Sequence, residues 1–471
     1  MATVDARRTP PLIRRLPADL LTPLGALLRL GGDEAGADAF LFESVERGER
    51  VGRYSYVGVG PVESGALDAH AFRTRARHAL GGGHPAALPD GAADGLPRFL
   101  GGLVFALGWD YARALEPRLG APRGPVARAA LFRDVVAFDH LQQEVQLVHN
   151  PGPGEPREEG EAILSALAAR LDRPLPGVLA RSAGGAEREA GGEGREAAAS
   201  LDDPAFAAIV ARAKEYIAAG DVFQVVLSRR FERATRASGL AIYRALRMVN
   251  PSPYMFYLRL GGHEWAGASP EMLLRVEGGE AMTHPIAGTR RRGASDAEDR
   301  ALADELRADP KERAEHAMLV DLARNDLGRI CDGGSVRLTR HMEVERFSHV
   351  MHLVSEVKGR LRPGVDALDA LDACFPAGTV SGAPKVRAME IIHELERGPR
   401  DTYAGAVGAA SFTGTLDACI AIRMVEVEDG LARWQSGAGV VADSVPSREA
   451  EETREKAAGT LRAIARAEAE L

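Results

Sequence analysis

From about Asn150 to Leu201 the chain offers little from which a core could be built. "NPGPGEPREEGE" and "RSAGGAEREAGGEGREAAAS" are rich in Gly, Pro, Glu and Arg, a composition that buries too little apolar surface to offset the entropy of ordering. Between them, "AILSALAARL" has helical spacing. The fold must therefore be assembled from the flanking parts. The sequence reads as an N-terminal domain over 1–175, a linker or mobile loop over 176–200, and a C-terminal catalytic domain over 201–471. With 471 residues, 45% of them hydrophobic, core material is ample.

The N-terminal part mixes strand-like runs with turns. "GRYSYVGVG" and "EVQLVHN" alternate, "GGLVFALGWDYA" is punctuated by glycine, and "ALFRDVVAFDH" has the pattern of a buried strand. Further on, "DPAFAAIVARAKEYIAAGD" predicts a helix with Asp203 at its N-cap, Pro204 in the first turn and Gly220 at its end. "VFQVVLSRRFE", "HVMHLVSEVKGRL" and "LDACIAIRMVEVE" predict strands. "FPAGTVSGAPKVRAMEIIHELERGPR" predicts a turn and then a helix, with Ser381 as a cap. Strands and helices alternate irregularly, which favours α+β with mainly antiparallel sheet over a regular βαβ array.

Several function classes are disfavoured. A net charge of −8 supplies no basic stripe for nucleic acid. No apolar run approaches the roughly 20 residues of a membrane span, and "MATVDARRTPPLIRRLPADLL" has no h-region of a signal peptide. Cys331, Cys374 and Cys419 are odd in number and widely spaced, as ordinary thiols of a reducing cytoplasm would be. Of 59 basic residues only Lys214, Lys311, Lys358, Lys385 and Lys456 are lysines, so candidates for lysine chemistry are few.

Two carboxylate pairs carry the first chemical signal. In "KERAEHAMLVD", Glu312 and Glu315 lie three residues apart and project from one helical face. Alone, such a pair reads as a solvated face. "SREAEETREKA" repeats the spacing with Glu449 and Glu452, and Lys456 follows one turn on. Two such helices would make an oxygen-rich site suited to a hard cation. Mg2+ is the natural candidate, since it keeps waters and binds through one or two carboxylates plus an anionic substrate. In "SGAGVVADS", Gly437, Ala438 and Gly439 leave backbone N–H groups open to a carboxylate. Arg423, in "IAIRMVEV", falls mid-strand among apolar residues and must meet an anion, either an internal Asp or Glu or a bound carboxylate. The segment after Gly378 is no phosphate loop, because Ala383 and Pro384 stand where Gly and Lys belong. His352, Gln224 and Glu271 sit in apolar segments and read equally as core residues.

Taken in order, "FQVVLSRR", "NPSPYMFYL", "ASPEMLL", "PIAGTRRRG", "KERAEHAMLVDLARND", "HVMHLVSEVKGRL", "FPAGTVSGAPKVRAMEII", "YAGAVG", "IAIRM" and "GAGVVADSVPSREAEET" span Gln224 to Lys456. Together they resemble the chorismate-utilising enzymes, and among these the large subunits of anthranilate synthase. The resemblance implies an α+β fold of two packed, mainly antiparallel β-sheets with helices outside. It implies Mg2+ held by Glu315, Glu452 and Glu449, with Glu312 beside them, gripping the ring carboxylate of chorismate. Tyr403, Arg423 and the backbone of Gly437, Ala438 and Gly439 would hold the enolpyruvyl carboxylate, and Gly288, Thr289 and Lys456 would line the substrate. His352 and Glu271 would assist departure of the ring hydroxyl, with Thr379 near the ring.

The same resemblance discriminates among reactions. Isochorismate and salicylate synthases carry a lysine base where this chain has Gln224. Aminodeoxychorismate synthases typically read "PIKGT", whereas this chain reads "PIAGT", and the methyl of Ala287 cannot be a nucleophile. Both departures point to ammonia attacking C2 directly, giving anthranilate and pyruvate. "LFESVERGERVGRYSYVG" resembles the segment that, with "NPSPYMFY", forms the inhibitory L-tryptophan pocket of anthranilate synthases. That implies effector contacts at Glu43, Ser44, Pro253, Tyr254 and Met255, with Phe42 where leucine is commoner. No cysteine stands in a glutaminase-like Gly-x-Cys-x-Gly setting, so ammonia is expected from a separate glutamine amidotransferase subunit in a hetero-oligomer. The competing readings are an enzyme that stops at 2-amino-2-deoxyisochorismate, an aminodeoxychorismate synthase, and a non-catalytic tryptophan-sensing homologue.

Overall fold

A computed structural model describes residues 9–34, 36–44, 52–81, 96–175, 197–346 and 350–469. Two sheets of 12 and 10 strands organise it, and their pairings are antiparallel throughout the described residues. The expected class, α+β with two mainly antiparallel sheets, is what the chain adopts.

Each sheet draws strands from both flanking parts. In the first, Leu12–Pro17, Glu144–His149, Asp134–Asp139, Tyr54–Val59 and Ala39–Glu43 follow one another, and Ala39–Glu43 then pairs with Tyr254–Leu260. The sheet continues through His263–Ser269, Met424–Glu428, Leu431–Val440 and Gln224–Ala234. In the second, Gly102–Leu107 pairs with Ala406–Ser411, beyond which lie Leu416–Ile420, Met272–Glu277, Glu280–Thr283, Val350–Arg360 and Ile286–Arg291. One hydrophobic cluster unites Phe72, Phe105 and Trp109 with Phe206, Ile391 and Tyr403. Each fully buried large side chain contributes about 1.5–3 kcal/mol, so the two parts stabilise one another. One core thus spans residues from both sides of the expected linker at 176–200, of which 176–196 lie outside the described residues.

Two predicted strands are each broken in two. "ALFRDVVAFDH" supplies Ala127–Phe132 to the second sheet and Asp134–Asp139 to the first, crossing at Arg133. "LDACIAIRMVEVE" supplies Leu416–Ile420 to the second and Met424–Glu428 to the first. In both runs strand-like residues continue on either side of the crossing, with no glycine, proline or turn cluster to mark the point where the chain changes sheet. Arg423 is therefore a crossing residue at φ 54° and not mid-strand.

Two caps also differ from expectation. Asp202, not Asp203, caps the helix Asp203–Ala218 by accepting the Ala205 N–H. The helix Lys385–Leu395 follows Pro384, while Ser381 Oγ donates to the Ala377 carbonyl four residues back. "AILSALAARL" lies within the helix Arg157–Leu171, as its spacing predicts. Among the described residues no helix is long and apolar enough to cross a membrane.

Candidate active site

The helices Pro310–Gly328 and Pro446–Ala469 pack on different sheets, the first on Ile286–Arg291 and Val350–Arg360, the second on Leu431–Val440. Their carboxylates nevertheless face one another. Burial, then the charges of Glu312 and Glu452, push the Glu315 carboxyl above its usual range. Burial also raises that of Glu449, with Glu452 adding to the effect. Two of the four carboxylates already have partners: Arg290 Nη1 lies 3.0 Å from Glu312 Oε1, and Lys456 Nζ contacts Glu452 Oε1. Arg290, which also pairs with Glu305 and Asp309, thus holds Glu312 in place, a role the arginine run of "PIAGTRRRG" could have signalled. Glu315 and Glu449 form no ion pair among the described residues.

This donor set fits a hard divalent cation. All donors are carboxylate oxygens, two are half-buried, and like charge raises their proton affinity. Among the described residues no three His, Cys, Asp or Glu side chains are gathered into a cage. Mg2+, which completes its shell with water and substrate oxygens, suits such a set better than an ion that needs an all-protein cage.

Beside the carboxylates, Gln224–Ala234 pairs with Leu431–Val440, setting Val226, Leu227 and Ser228 opposite Gly439, Ala438 and Gly437. A Cβ on Gly437 would stand 2.8 Å from both the Leu227 carbonyl and the Tyr403 hydroxyl, and one on Gly439 2.8 Å from Gln224 Nε2. Tyr403 and Gln224 therefore lie against bare backbone. Lys456 Nζ donates to the Gly437 carbonyl at 3.1 Å, tying the carboxylate helix to this strand. Deeper in, Arg229 donates to Ala450 O and Thr453 Oγ1, fixing the helical turn that carries Glu449 and Glu452; its sequence context gave no hint of this.

Arg423 completes this wall. Its Nη1 donates to the Lys456 carbonyl at 3.0 Å, and burial lowers its pKa against the opposing influence of Tyr403 and Glu452. No carboxylate pairs with it among the described residues. Of the two partners the sequence left open, an internal Asp or Glu is not the one found. A half-buried guanidinium holding one carbonyl has donors left for an anion.

His352 and Glu271 approach from the second sheet. His352 Nδ1 lies 2.9 Å from the Gly288 carbonyl and 3.0 Å from Thr289 Oγ1. Gly288 sits at φ 71°, where the pairing with Val350–Arg360 shifts register, and a Cβ there would come within 3.0 Å of Glu312 Oε2. Burial lowers the His352 pKa, and Arg423 lowers it further against the pull of the Gly288 carbonyl. Burial therefore favours the neutral ring, with Nδ1 placed to donate to the Gly288 carbonyl. Burial pushes the Glu271 carboxyl up to about 8. Thr379 lies beside it, its hydroxyl without a well-aligned hydrogen-bond partner. Both line a cavity of about 410 Å3 that extends past Leu319 and Leu322. Ala287 is buried next to Gly288.

A second cavity, of about 930 Å3, gathers Glu43, Ser44, Pro253, Tyr254 and Met255, together with Phe42. Glu43 pairs in register with Met255, but its carboxylate is taken by Tyr243 Oη at 2.5 Å and Arg247 Nε at 3.0 Å. Ser44 Oγ is buried without a partner among the described residues. Tyr254 Oη donates to Asp417 Oδ1 at 3.0 Å and accepts from Arg275 Nη2 at 3.1 Å. Sequence reasoning missed Arg275 and Asp417, which look like ordinary polar residues of strands.

Comparison with known proteins agrees with this geometry. Residues 38–462 match the chorismate binding enzyme family. Anthranilate synthase component 1 of Geobacillus stearothermophilus is 45% identical over 98% of this chain and 96% of its own. That of Streptomyces coelicolor is 47% identical over 98% and 89%. The crystal structure of anthranilate synthase component I from Streptococcus pneumoniae superposes with a TM-score of 0.74 at 33% identity, covering 95% of this chain and 99% of its own. The menaquinone-specific isochorismate synthase of Escherichia coli shares the fold, with a TM-score of 0.72 at 21% identity over 97% and 95%. The chain belongs to the chorismate binding enzymes, and within them to the anthranilate synthase component 1 proteins.

Proposed function

We propose that the chain converts chorismate and ammonia to anthranilate, pyruvate and water where the carboxylate helices, Arg423 and the strand Gly437–Gly439 come together. The observation that carries this reading is Arg423, half-buried and without a carboxylate partner among the described residues, close to Tyr403 and Glu452. Such a seat suits the enolpyruvyl carboxylate. Glu315, Glu449 and Glu452 would hold Mg2+, with Glu312 and its partner Arg290 at their flank. When bound, the cation supplies charge that orients and neutralises the ring carboxylate.

In the first stage ammonia bonds to C2 of the ring while the C4 hydroxyl leaves. Glu271, protonated at neutral pH, gives its proton to the departing hydroxyl, which leaves as water, with Thr379 beside it. His352, held by Gly288, would assist departure of the ring hydroxyl together with Glu271. In the second stage the C2 proton is removed and the C3–O bond breaks, making the ring aromatic, and the enolpyruvate that leaves takes up a proton at its methylene carbon to become pyruvate. Gly288 and Thr289 line the ring. Ala287 and Gln224 offer no nucleophile or base, which leaves ammonia as the attacking group.

Ammonia would come from a separate glutamine amidotransferase subunit. The second cavity would take L-tryptophan as an inhibitor, with Glu43, Ser44, Pro253, Tyr254 and Met255 at its wall. The test uses the purified chain with chorismate, Mg2+ and an ammonium salt at alkaline pH, read by anthranilate fluorescence. A signal abolished by EDTA or by Glu315→Gln supports the reading. Chorismate loss without fluorescence would instead favour an enzyme that stops at the aminated intermediate, which mass analysis would identify.

A further inference from the structure

Arg400 and Glu396 form a buried, two-pronged ion pair, with Nε to Oε2 at 2.9 Å and Nη2 to Oε1 at 2.6 Å. Their side chains are 1% and 7% exposed. Such pairs are weak devices for stability, because desolvation offsets most of the attraction. The remaining bonds of this one are distributed in an informative way. Arg400 Nη1 donates to the carbonyl of Val380, the neighbour of Thr379, at 2.7 Å. Nη2 donates at 2.7 Å to the carbonyl of Val226, the residue opposite Gly439. Glu396 Oε1 accepts the N–H of Ser228 at 2.7 Å and its hydroxyl at 3.0 Å, and Ser228 lies opposite Gly437. The carbonyl of Arg400 accepts the Tyr403 N–H at 2.9 Å.

The pair also rests on the other part of the chain. Its guanidinium lies 4.3 Å from the centre of the Trp109 ring, and the Trp109 N–H bonds the Asp401 carbonyl at 2.8 Å. Thr379, Tyr403 and the strand Gly437–Gly439 belong to three separate elements, and this one cluster is bonded to the backbone beside each of them.

We propose that Arg400 and Glu396, backed by Trp109, are the positioning residues of the carboxylate seat. They set the spacing between Thr379, Tyr403 and the strand Gly437–Gly439, and neither bonds nor reacts with substrate. The inference rests on that seat being the one that takes chorismate. The planar fork of arginine is what allows one side chain to reach two carbonyls and both oxygens of a carboxylate; a lysine keeps the charge and loses the reach.

The test compares Arg400→Lys, Glu396→Gln and Trp109→Phe with the unmodified chain, and with Asp139→Asn as a control that breaks the Arg53–Asp139 pair away from the site. Ammonia-dependent turnover is measured with chorismate and ammonia varied separately. Chorismate binding is measured in parallel, without ammonia, by its effect on thermal unfolding. The expected result for Arg400→Lys is a chorismate KM raised at least about 10-fold, with kcat within about threefold and the ammonia KM unchanged, as for a lost interaction made equally in ground and transition states. Glu396→Gln should move the same quantity less, and Asp139→Asn should lower the melting temperature alone. If Arg400→Lys fails to fold, Glu396→Gln and Trp109→Phe carry the same comparison. Lowered melting temperatures with a chorismate KM within twofold of the unmodified chain would overturn the positioning role. An unmodified chain that neither binds nor consumes chorismate would overturn the seat and, with it, this inference.

Discussion

The two cavities share their walls and differ in what holds them. The strands Met272–Glu277 and Leu416–Ile420 serve both: Glu271, Met272 and Ile420 face the catalytic cavity, while Arg275, Leu416 and Asp417 face the other. The first cavity is built from residues after the linker and sets Glu271 and Thr379 among mostly apolar walls, while the paired glutamates, Arg423 and the bare strand Gly437–Gly439 lie outside that lining. The second cavity draws on both parts of the chain and is walled by rings, including Phe42, Tyr56, Phe99 and Phe256. Its charged groups are mostly satisfied internally, Glu43 by Tyr243 and Arg247 and Asp417 by Arg275 and Tyr254. Among the described residues, Glu315, Glu449 and Arg423 have no ion-pair partner, whereas the second cavity keeps apolar surface and a Ser44 hydroxyl without a partner. Reaction needs the first arrangement, and recognition of an aromatic effector needs the second.

If that contrast is right, the largest effect belongs to Arg423. Arg423→Ala should lower kcat/KM by about 10^2–10^3, or roughly 3–4 kcal/mol, since a buried charge-assisted contact to a carboxylate is lost. Tryptophan binding, measured by calorimetry, should stay within twofold. A comparable loss in tryptophan affinity would show that the cavities are not separately built.

Glu271 sharpens the comparison through pH. Its carboxyl is pushed up to about 8 by burial, so the proton it donates is present at neutral pH and lost as pH rises through about 8. At constant free ammonia, kcat should fall on that limb. Glu271→Gln should reduce kcat by about 10^2, within the range for a general acid, and abolish the limb. A variant whose profile still falls near 8 would assign the limb to another group.

The glycines give a smaller, graded effect. Gly437→Ala drives a methyl to 2.8 Å from the Leu227 carbonyl, a backbone atom that cannot move aside, and to the same distance from the Tyr403 hydroxyl. It should raise the chorismate KM at least about 10-fold. Gly439→Ala meets the end of the Gln224 side chain, which can rotate away, and should stay within about threefold; rotamer changes cost of order 1 kcal/mol. Equal effects would mean that bare backbone is not what the seat requires.

What was legible in the sequence follows the same contrast. Glu312, Glu315, Glu449 and Glu452 were found because paired carboxylates at helical spacing are conspicuous, and the glycine strand because it lacks side chains. Arg423 was noticed as an arginine among apolar residues, yet was misplaced mid-strand, because a strand-like run with no turn residue at the crossing hides where the chain changes sheet. Arg290 was missed as the partner of Glu312 because pairing across 22 residues depends on how the strand Ile286–Arg291 lies against the helix Pro310–Gly328. Arg400, Glu396 and Trp109 were missed for a related reason: their role lies in bonds to backbone groups distant in sequence, which residue types do not announce. Gly288 was named through the resemblance, but its φ of 71° at a register shift and the burial that lowers the His352 pKa belong to the tertiary structure, which a sequence does not display.

The smallest effect tests whether the shared strands couple the cavities. Tyr254→Phe removes the hydroxyl that donates to Asp417 Oδ1 and accepts from Arg275, while the direct ion pair between Arg275 and Asp417 at 2.8 Å remains. Both of its hydrogen bonds are lost, but Arg275 and Asp417 still satisfy one another, so the net cost is about 1 kcal/mol, or roughly fivefold in an equilibrium constant. The tryptophan concentration for half-inhibition should rise about fivefold, with the chorismate KM in the absence of tryptophan within twofold. Asp417 is three residues from Ile420, whose N–H bonds the Glu271 carbonyl, so a disturbance at Tyr254 has a short covalent route to the catalytic acid. A shift in the Glu271-dependent limb of the pH profile in Tyr254→Phe would show that this route transmits. An unchanged limb with weakened inhibition would leave tryptophan acting through the sheet as a whole and not through this one hydroxyl.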